Sequence, residues 1–560
     1  MKFERRRSAV LNLIAASTAF SGLLTLSTTL FALVHLHRAR IAIADAHLTV
    51  IAGLSLIYLA TLLRRGKHNA WLVSVLVYGL LTIRNTRHFI FDINDSRQYI
   101  IAVTLSLLVP LLTLIALIIF RKMFEVRSEI HSFKVAARRA VIILIIAFLY
   151  GVIGFQLFDE RDYHQEISVP TSIHYTVDQS GFTTSNRPIA YTKRARFFVD
   201  SLAAISITSV FYAGVSFFAP IRFRLSHHIK DLQDAEKVLK QHSLTSEDFF
   251  KLWPRDKDYF FSADRSAFLA YQVKNNVALV VGDPVGPSNA IKQLMAIFME
   301  YCRINDWLVA FIHTDATNLK LYASYDFSHQ KIGEEALVDI NHFVDEVARN
   351  KYFRHINNKF SKQNYTFEVL QPPHAVAVVA SLKRISDDWL SLPGRTERGF
   401  MMGYFSEAYI QNCPIAVVRD DQMQIRAFAN QVLSFKADEA NYDLLRQAHD
   451  AQSNTNDYLM INFISYLKTQ GFNKINMGLS PLSGLEASDD TDRTAMDRLL
   501  HFVYANADRF YSFQGLARFK LKYEPEWESR YIVYRGGLPG FSKAMNALLR
   551  AMNDTRSPIG

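Results

Sequence analysis

Six long apolar runs crowd the first 220 residues, at about 9–34, 47–63, 70–83, 99–120, 140–157 and 198–219, and nothing later resembles them. At about 1.5 Å per helical residue, most are long enough to cross a hydrocarbon core of about 30 Å. Only helices or closed barrels satisfy their backbone in lipid, and continuous apolarity without alternation favours helices. The first 224 residues therefore read as a helical membrane domain with about six spans. The first run follows Lys2, Arg5, Arg6 and Arg7 but is too long for a cleaved leader, so it reads as a retained anchor. Arg64, Arg65 and Lys67, the segment 121–139 and the segment 222–230 are basic. By contrast the loop 158–188 opens with Asp159, Glu160 and Asp162. Positive loops stay cytoplasmic, which places both termini in the cytoplasm of a multi-pass protein of the inner (cytoplasmic) membrane. Arg84, Arg87, His88 and Asp92 could line a polar path, and interface anchoring is the plainer reading.

The remaining residues form an ordinary, charge-rich α/β sequence. Short strands are expected at 260–261, 267–273, 277–281, 307–313 and 336–340, and helices at 231–241, 291–303 and 319–325. A second series follows, with helices at 376–390 and 458–469 and strands at 415–419, 425–432 and 474–477. Two similar α/β halves result, with boundaries at 225–375 and 376–560. Between them 345–362 reads as a helix with Lys351, Arg354, Lys359 and Lys362 on one face. Such a face is either solvated or a contact for nucleic acid. The net charge of +11 suits a phosphate-bearing partner, although cytoplasmic loops account for part of it. Cys302 and Cys413 lack metal-ligand spacing and read as buried thiols.

Several strings carry more than composition: Gly282-Asp283-Pro284-Val285-Gly286-Pro287, Lys331-Ile332-Gly333-Glu334-Glu335-Ala336, Asp443-Leu444-Leu445-Arg446, the run from Asn476 through Gly484, and Phe513-Gln514-Gly515-Leu516 with Phe519-Lys520. In order and spacing across about 245–540 they resemble the C-terminal domain of the lysylphosphatidylglycerol synthetase family, also called multiple peptide resistance factor. The resemblance implies two tandem acetyltransferase-like (GNAT) halves joined by a basic helix that meets tRNA. It also implies transfer of an aminoacyl group, lysyl in the first instance, from aminoacyl-tRNA to phosphatidylglycerol, which lowers surface negative charge and supports resistance to cationic antimicrobial peptides. Larger membrane regions in the family move the product between leaflets, whereas the six runs here read as an anchor beside the lipid.

An aminoacyl ester is already activated, so no ATP is needed; no cofactor is expected and no metal ligands stand out, while metal dependence itself is not legible in the sequence. Asp443 and Arg446, three apart, are expected on one face of a helical turn, where they are either a plain surface salt bridge or, as the resemblance implies for the family motif, functional. Glu397, before Phe400 to Gly403, could bind the substrate ammonium or act as base, or be a partnered surface residue. Lys520 and Arg530, among aromatic residues, could contact lipid or phosphate. Gly282, Asp283 and Gly286 read as structural, with Asp283 capping the next helix. The chain has no Walker loop, no Gly-x-Ser-x-Gly elbow and no His-Glu-x-x-His helix. The alternatives are a transferase using another lipid acceptor, or a lipid transport or binding protein without catalysis. A homo-oligomer is left open.

Overall fold

The computed structural model describes residues 2–35, 42–91, 97–127, 130–157, 163, 167–178, 191–218, 229–481, 483 and 513–555. Asp159, Glu160 and Asp162 of the acidic loop, the segment 222–228, and the side chains of Arg84, Arg87, His88 and Asp92 lie outside the described residues, as do Leu482 and Gly484 of the motif run. Contacts divide the chain into Met1–Arg222 with Arg303–Asp306, and Phe223–Cys302 with Trp307–Gly560.

The first unit is helical: α1 (Lys2–His35), α2 (Ala42–Arg64), α3 (His68–Phe91), α4 (Arg97–Ile119), α5 (Ile130–Leu157), α6 (Val169–Val177) and α7 (Lys193–Ser216). Each of the six apolar runs thus holds a helix. Among the described residues, two stretches, Arg6–Ser27 and Ala137–Leu157, are long and apolar enough to span a bilayer, and Ala52–Arg64, His68–Ile83 and Leu107–Ile119 are shorter apolar helices. Leu11, Leu59, Leu63, Tyr78 and Leu117 pack inward among α1 to α4. Large aliphatic side chains such as Leu13, Leu76, Ile119, Ile146 and Leu157 point outward, each at least 60% exposed. Outward-facing aliphatic side chains of this kind are what a helix facing lipid or another protein carries.

The second unit is built on one eleven-stranded sheet in the order β1-β2-β3-β4-β11-β5-β10-β9-β8-β7-β6. The strands are β1 (Asp258–Phe261), β2 (Phe268–Lys274), β3 (Val277–Val281), β4 (Leu308–Asp315), β5 (Ser328–Asp339), β6 (Thr366–Leu370), β7 (Ile415–Arg419), β8 (Ile425–Val432), β9 (Glu439–Gln447), β10 (Lys474–Pro481) and β11 (Glu526–Tyr534). Helices α8 (Ile229–His242), α9 (Ser288–Ile304), α10 (Leu319–Ala323), α11 (Ile340–Asp345), α12 (Lys351–Lys362), α13 (Val376–Leu390), α14 (Glu407–Ile410), α15 (Thr455–Thr469), α16 (Phe513–Leu521) and α17 (Gly537–Asn553) accompany it.

The repeated plan is present in the pairing itself. β1–β2 and β2–β3 are antiparallel and β3–β4 parallel. Likewise β7–β8 and β8–β9 are antiparallel and β9–β10 parallel. Each parallel pair is joined through a helix, α9 in one half and α15 in the other, as a parallel connection requires. The next strand is exchanged between the halves: β11 pairs β4, and β5 pairs β10.

The basic segment is shorter than expected. α11 ends at Asp345, a single 3₁₀ turn spans Val347–Arg349, and α12 begins after Asn350, whose side chain accepts from the Phe353 amide at 2.9 Å. Phe353, Ile356 and Phe360 enter the core, with the Phe360 ring stacked on Tyr458 at 4.7 Å. Lys351, Arg354 and Lys362 are exposed and Lys359 half-buried on the other side. The expected glycine role holds at Gly286 (φ +140°), where an added Cβ would lie 2.5 Å from the Cβ of Ala267. Asp283, however, does not serve the helix after it. Its carboxylate accepts from the Asp315 amide at 2.9 Å and the Tyr322 hydroxyl at 2.7 Å, tying the loop to β4.

Candidate active site

A parallel pair can open where its ladder stops, and β9 and β10 do so. They pair only through Glu439, Ala440 and Asn441 with Lys474, Ile475 and Asn476, and both strands then continue unpaired with each other. The register of β10 on β5 shifts between Asn476 and Leu479. Gly478 there has φ +76°, a conformation glycine adopts without strain. The carbonyls of Gly478 and Leu479 leave the ladder and accept from Lys520 Nζ of α16, at 2.7 and 2.9 Å. At the same fork the Asn441 Oδ1, Asn476 Nδ2 and Ser480 Oγ atoms are buried without a hydrogen-bond partner among the described residues. Unpaired buried polar atoms are uncommon and mark a place built for something polar.

Asp443 and Arg446 lie on β9, not on a helical turn. The charge spacing that suggested a helix occurs in a strand, where i and i+3 ordinarily face opposite ways. A bulge corrects the phase. Leu445 opposes Ala429 and Tyr442 opposes Gln431, so Asp443 and Leu444 share the single partner Asn430. Asn430 Oδ1 accepts from the Leu444 amide at 2.7 Å. Tyr442 and Leu445 pack on one core cluster and Leu444 on the other, which also holds the Tyr409 that Asp443 meets. The two charges therefore do share a face, by a different route from the one expected.

Asp443 Oδ2 accepts from the Gly403 amide and the Tyr409 hydroxyl, both at 2.8 Å. Burial pushes this carboxyl up to about 6, against those two hydrogen bonds and the nearby Arg446. Arg446 is held by Glu397 through two bonds, 2.9 and 2.6 Å, with the guanidinium 4.8 Å from the centre of the Trp389 ring. Glu397 Oε1 also accepts from the Phe405 amide at 3.2 Å. The Glu397–Arg446 pair thus anchors the 397–405 loop, and that loop supplies the amide that holds Asp443.

Arg530 and Lys520 meet different surroundings. Arg530 donates to Glu335 Oε2 at 2.8 Å, Asp315 Oδ2 at 2.6 Å and Glu528 Oε2 at 2.8 Å, so its guanidinium is taken up by carboxylates rather than open to a phosphate. Lys520 is 2% exposed, and burial lowers its ammonium to about 7, opposed by Glu335 and Glu247. The basic set Lys351, Arg354, Lys359 and Lys362 belongs to α12, and the described residues place no carboxylate in an ion pair with it.

Sequence reasoning missed three members of this region. Glu247, in a 3₁₀ turn Ser246–Lys251, receives the Asn441 Nδ2–H at 2.8 Å. Its carboxyl is pushed up by burial and then by the charge of Glu335. His313 on β4 is lowered to about 4 by burial. Glu335 sat in a quoted motif, but nothing in the string showed that it would face His313 at 3.5 Å.

The profile described as "Phosphatidylglycerol lysyltransferase, C-terminal" matches residues 236–534. A phosphatidylglycerol lysyltransferase of Staphylococcus aureus (strain MRSA252) is 29% identical over 331 residues, 59% of this chain and 39% of that protein. The one of Bacillus subtilis (strain 168) is 33% identical over 280 residues, 50% of this chain and 32% of that protein. The chain therefore spans well under half the length of these curated relatives. The structure of L-PGS from Bacillus licheniformis is 30% identical, with a TM-score of 0.50, over 57% of this chain and 95% of that one. With a match across more than half of its length that takes in every strand of the sheet, the chain belongs to the phosphatidylglycerol lysyltransferase C-terminal family.

Proposed function

We propose that the chain is a membrane-bound aminoacyltransferase that moves an aminoacyl group, lysyl in the first instance, from aminoacyl-tRNA to the head group of phosphatidylglycerol at the cytoplasmic face. The observation that carries the reading is the polar fork between β9 and β10, with Asp443 held at its wall inside a region that matches the family. A glycerol hydroxyl of the lipid attacks the ester carbonyl, and the bond from that carbon to the tRNA ribose oxygen breaks. Asp443, poised about 6, accepts the hydroxyl proton and returns it to the leaving ribose oxygen. Lys520 lies where it can stabilise the oxyanion or a phosphate oxygen. Arg446 and Glu397 act through the 397–405 loop, and Arg530 balances the acidic groups around it.

The exposed basic side of α12 is the surface for the tRNA acceptor arm. The apolar helices, six spans with both termini cytoplasmic, tether the catalytic unit to the membrane that holds its acceptor. Conversion of an anionic lipid into a cationic one lowers the surface charge that attracts cationic peptides. Mass spectrometry of total lipids from cells with and without the protein tests this. A new phosphatidylglycerol derivative that disappears with Asp443→Asn is expected, and its mass names the amino acid. An unchanged lipid profile with abundant protein would refute catalysis.

A further inference from the structure

We propose that Glu247, His313 and Glu335 form a binding site for a divalent transition-metal cation of the Zn²⁺ or Mn²⁺ class. One carboxylate oxygen from each glutamate and one ring nitrogen of His313 lie within 4.8 Å of one another, and His313 Nε2 is 3.5 Å from Glu335 Oε1. Donors bound at about 2.1 Å to one ion sit roughly 3–4 Å apart, so small side-chain movements close the set. Among the described residues, no other group of three such donors converges in this way.

The independent observation is Glu335 itself. Its side chain is fully buried, and Oε1 has no hydrogen-bond partner, while Oε2 is fixed by Arg530 Nε at 2.8 Å. Glu247 is fixed in the same manner, by Asn441 Nδ2 at 2.8 Å. A carboxylate held by an outer donor on one oxygen and left bare on the other has the arrangement that outer residues impose on metal ligands. Arg530 already serves Glu335, Asp315 and Glu528 together, so one guanidinium is shared among three carboxylates beside the site. The donor set of two oxygens and one imidazole suits Zn²⁺, Mn²⁺ or Fe²⁺ rather than a soft ion. Three protein ligands leave a further position for water or a substrate oxygen. The assignment does not depend on which amino acid the enzyme transfers.

The test uses the full chain purified in detergent, loaded with Zn²⁺ or Mn²⁺, dialysed, and measured by elemental mass spectrometry and thermal melting with and without EDTA. About one equivalent of metal is expected in the unaltered protein, with an EDTA-sensitive melting point. Glu335→Gln and Glu247→Gln should each weaken metal binding by at least about tenfold. Glu247→Gln keeps the partner of Arg530 intact and so guards against misfolding, and Asp443→Asn should bind metal like the unaltered protein. Substoichiometric metal after loading, or equal metal in all variants, would overturn the site. A melting shift with lysinamide that is lost in Glu247→Gln, without metal in the unaltered protein, would assign the cluster to an organic ammonium and overturn the proposal as well.

Discussion

The two halves of the sheet share a plan and differ at one seam. In the first half β3 and β4 pair over five positions, Val277 with Leu308 through Val281 with Ile312, and the residues of β3 are buried and apolar. In the second half the equivalent strands, β9 and β10, pair over three positions and then separate around Asp443, Lys520 and unpaired amides. One topology thus yields a sealed scaffold and an open fork. Asn441 and Asn476 stand where the closed seam has Leu279 and Ala310, and both strands of the open seam carry a bulge, whereas in the closed seam only β4 does, at His313.

The widest separation between the halves is expected from Asp443→Asn. Transfer should fall between about a hundred- and ten-thousandfold in a lipid assay, the range of a lost proton acceptor. The variant should melt no lower than the parent, because asparagine can still accept from Gly403 and Tyr409. The closed seam should behave in the opposite way. Leu279→Ala removes a fully buried side chain and should cost about 2–5 kcal/mol of stability, while transfer per folded molecule stays near normal.

Arg446→Ala should combine both effects, since it strands Glu397 and loosens the 397–405 loop. A loss of about 3 kcal/mol in thermal unfolding is expected from breaking a largely buried pair. The pH dependence is smaller and sharper. Transfer should fall as pH drops through about 6, where Asp443 takes up its proton, and Asp443→Asn should lack that limb. Folding raises this carboxyl from 3.8, so its contribution to stability is full below 3.8 and is lost as pH rises through about 6. Smallest of all, alanine at Lys351, Arg354, Lys359 or Lys362 should change stability by no more than about 0.5 kcal/mol. Each should reduce the salt dependence of tRNA binding by about one unit of slope.

What the sequence showed depended on how local the signal was. Helix 376–390 and strands 415–419 and 425–432 match the observed elements residue for residue, since their apolar periods are uninterrupted and their ends carry turn residues. The run at 443–446 misled because a bulge gives a strand the facing pattern of a helical turn. The basic face was legible because Phe353, Ile356 and Phe360 mark the opposite side of α12. Glu247, His313 and Glu335 come from three separate elements, and no window of sequence contains their meeting point. The openness of the β9–β10 seam was equally hidden, since it depends on where pairing stops.

The exchanged strands bear on how the chain is made. β11 lies between β4 and β5 although it follows every other described strand in the sequence, so the middle of this sheet waits for residues 526–534 to leave the ribosome. Until then β4 and β5 each present an unpaired edge, the kind of edge that chaperones cover and that pairs with stray strands. A ribosome that stalls before this strand leaves a chain with Asp443, Arg446 and Glu397 but no closed sheet. A truncation before Glu526 should therefore unfold the second unit even though Asp443, Arg446 and Glu335 all precede it.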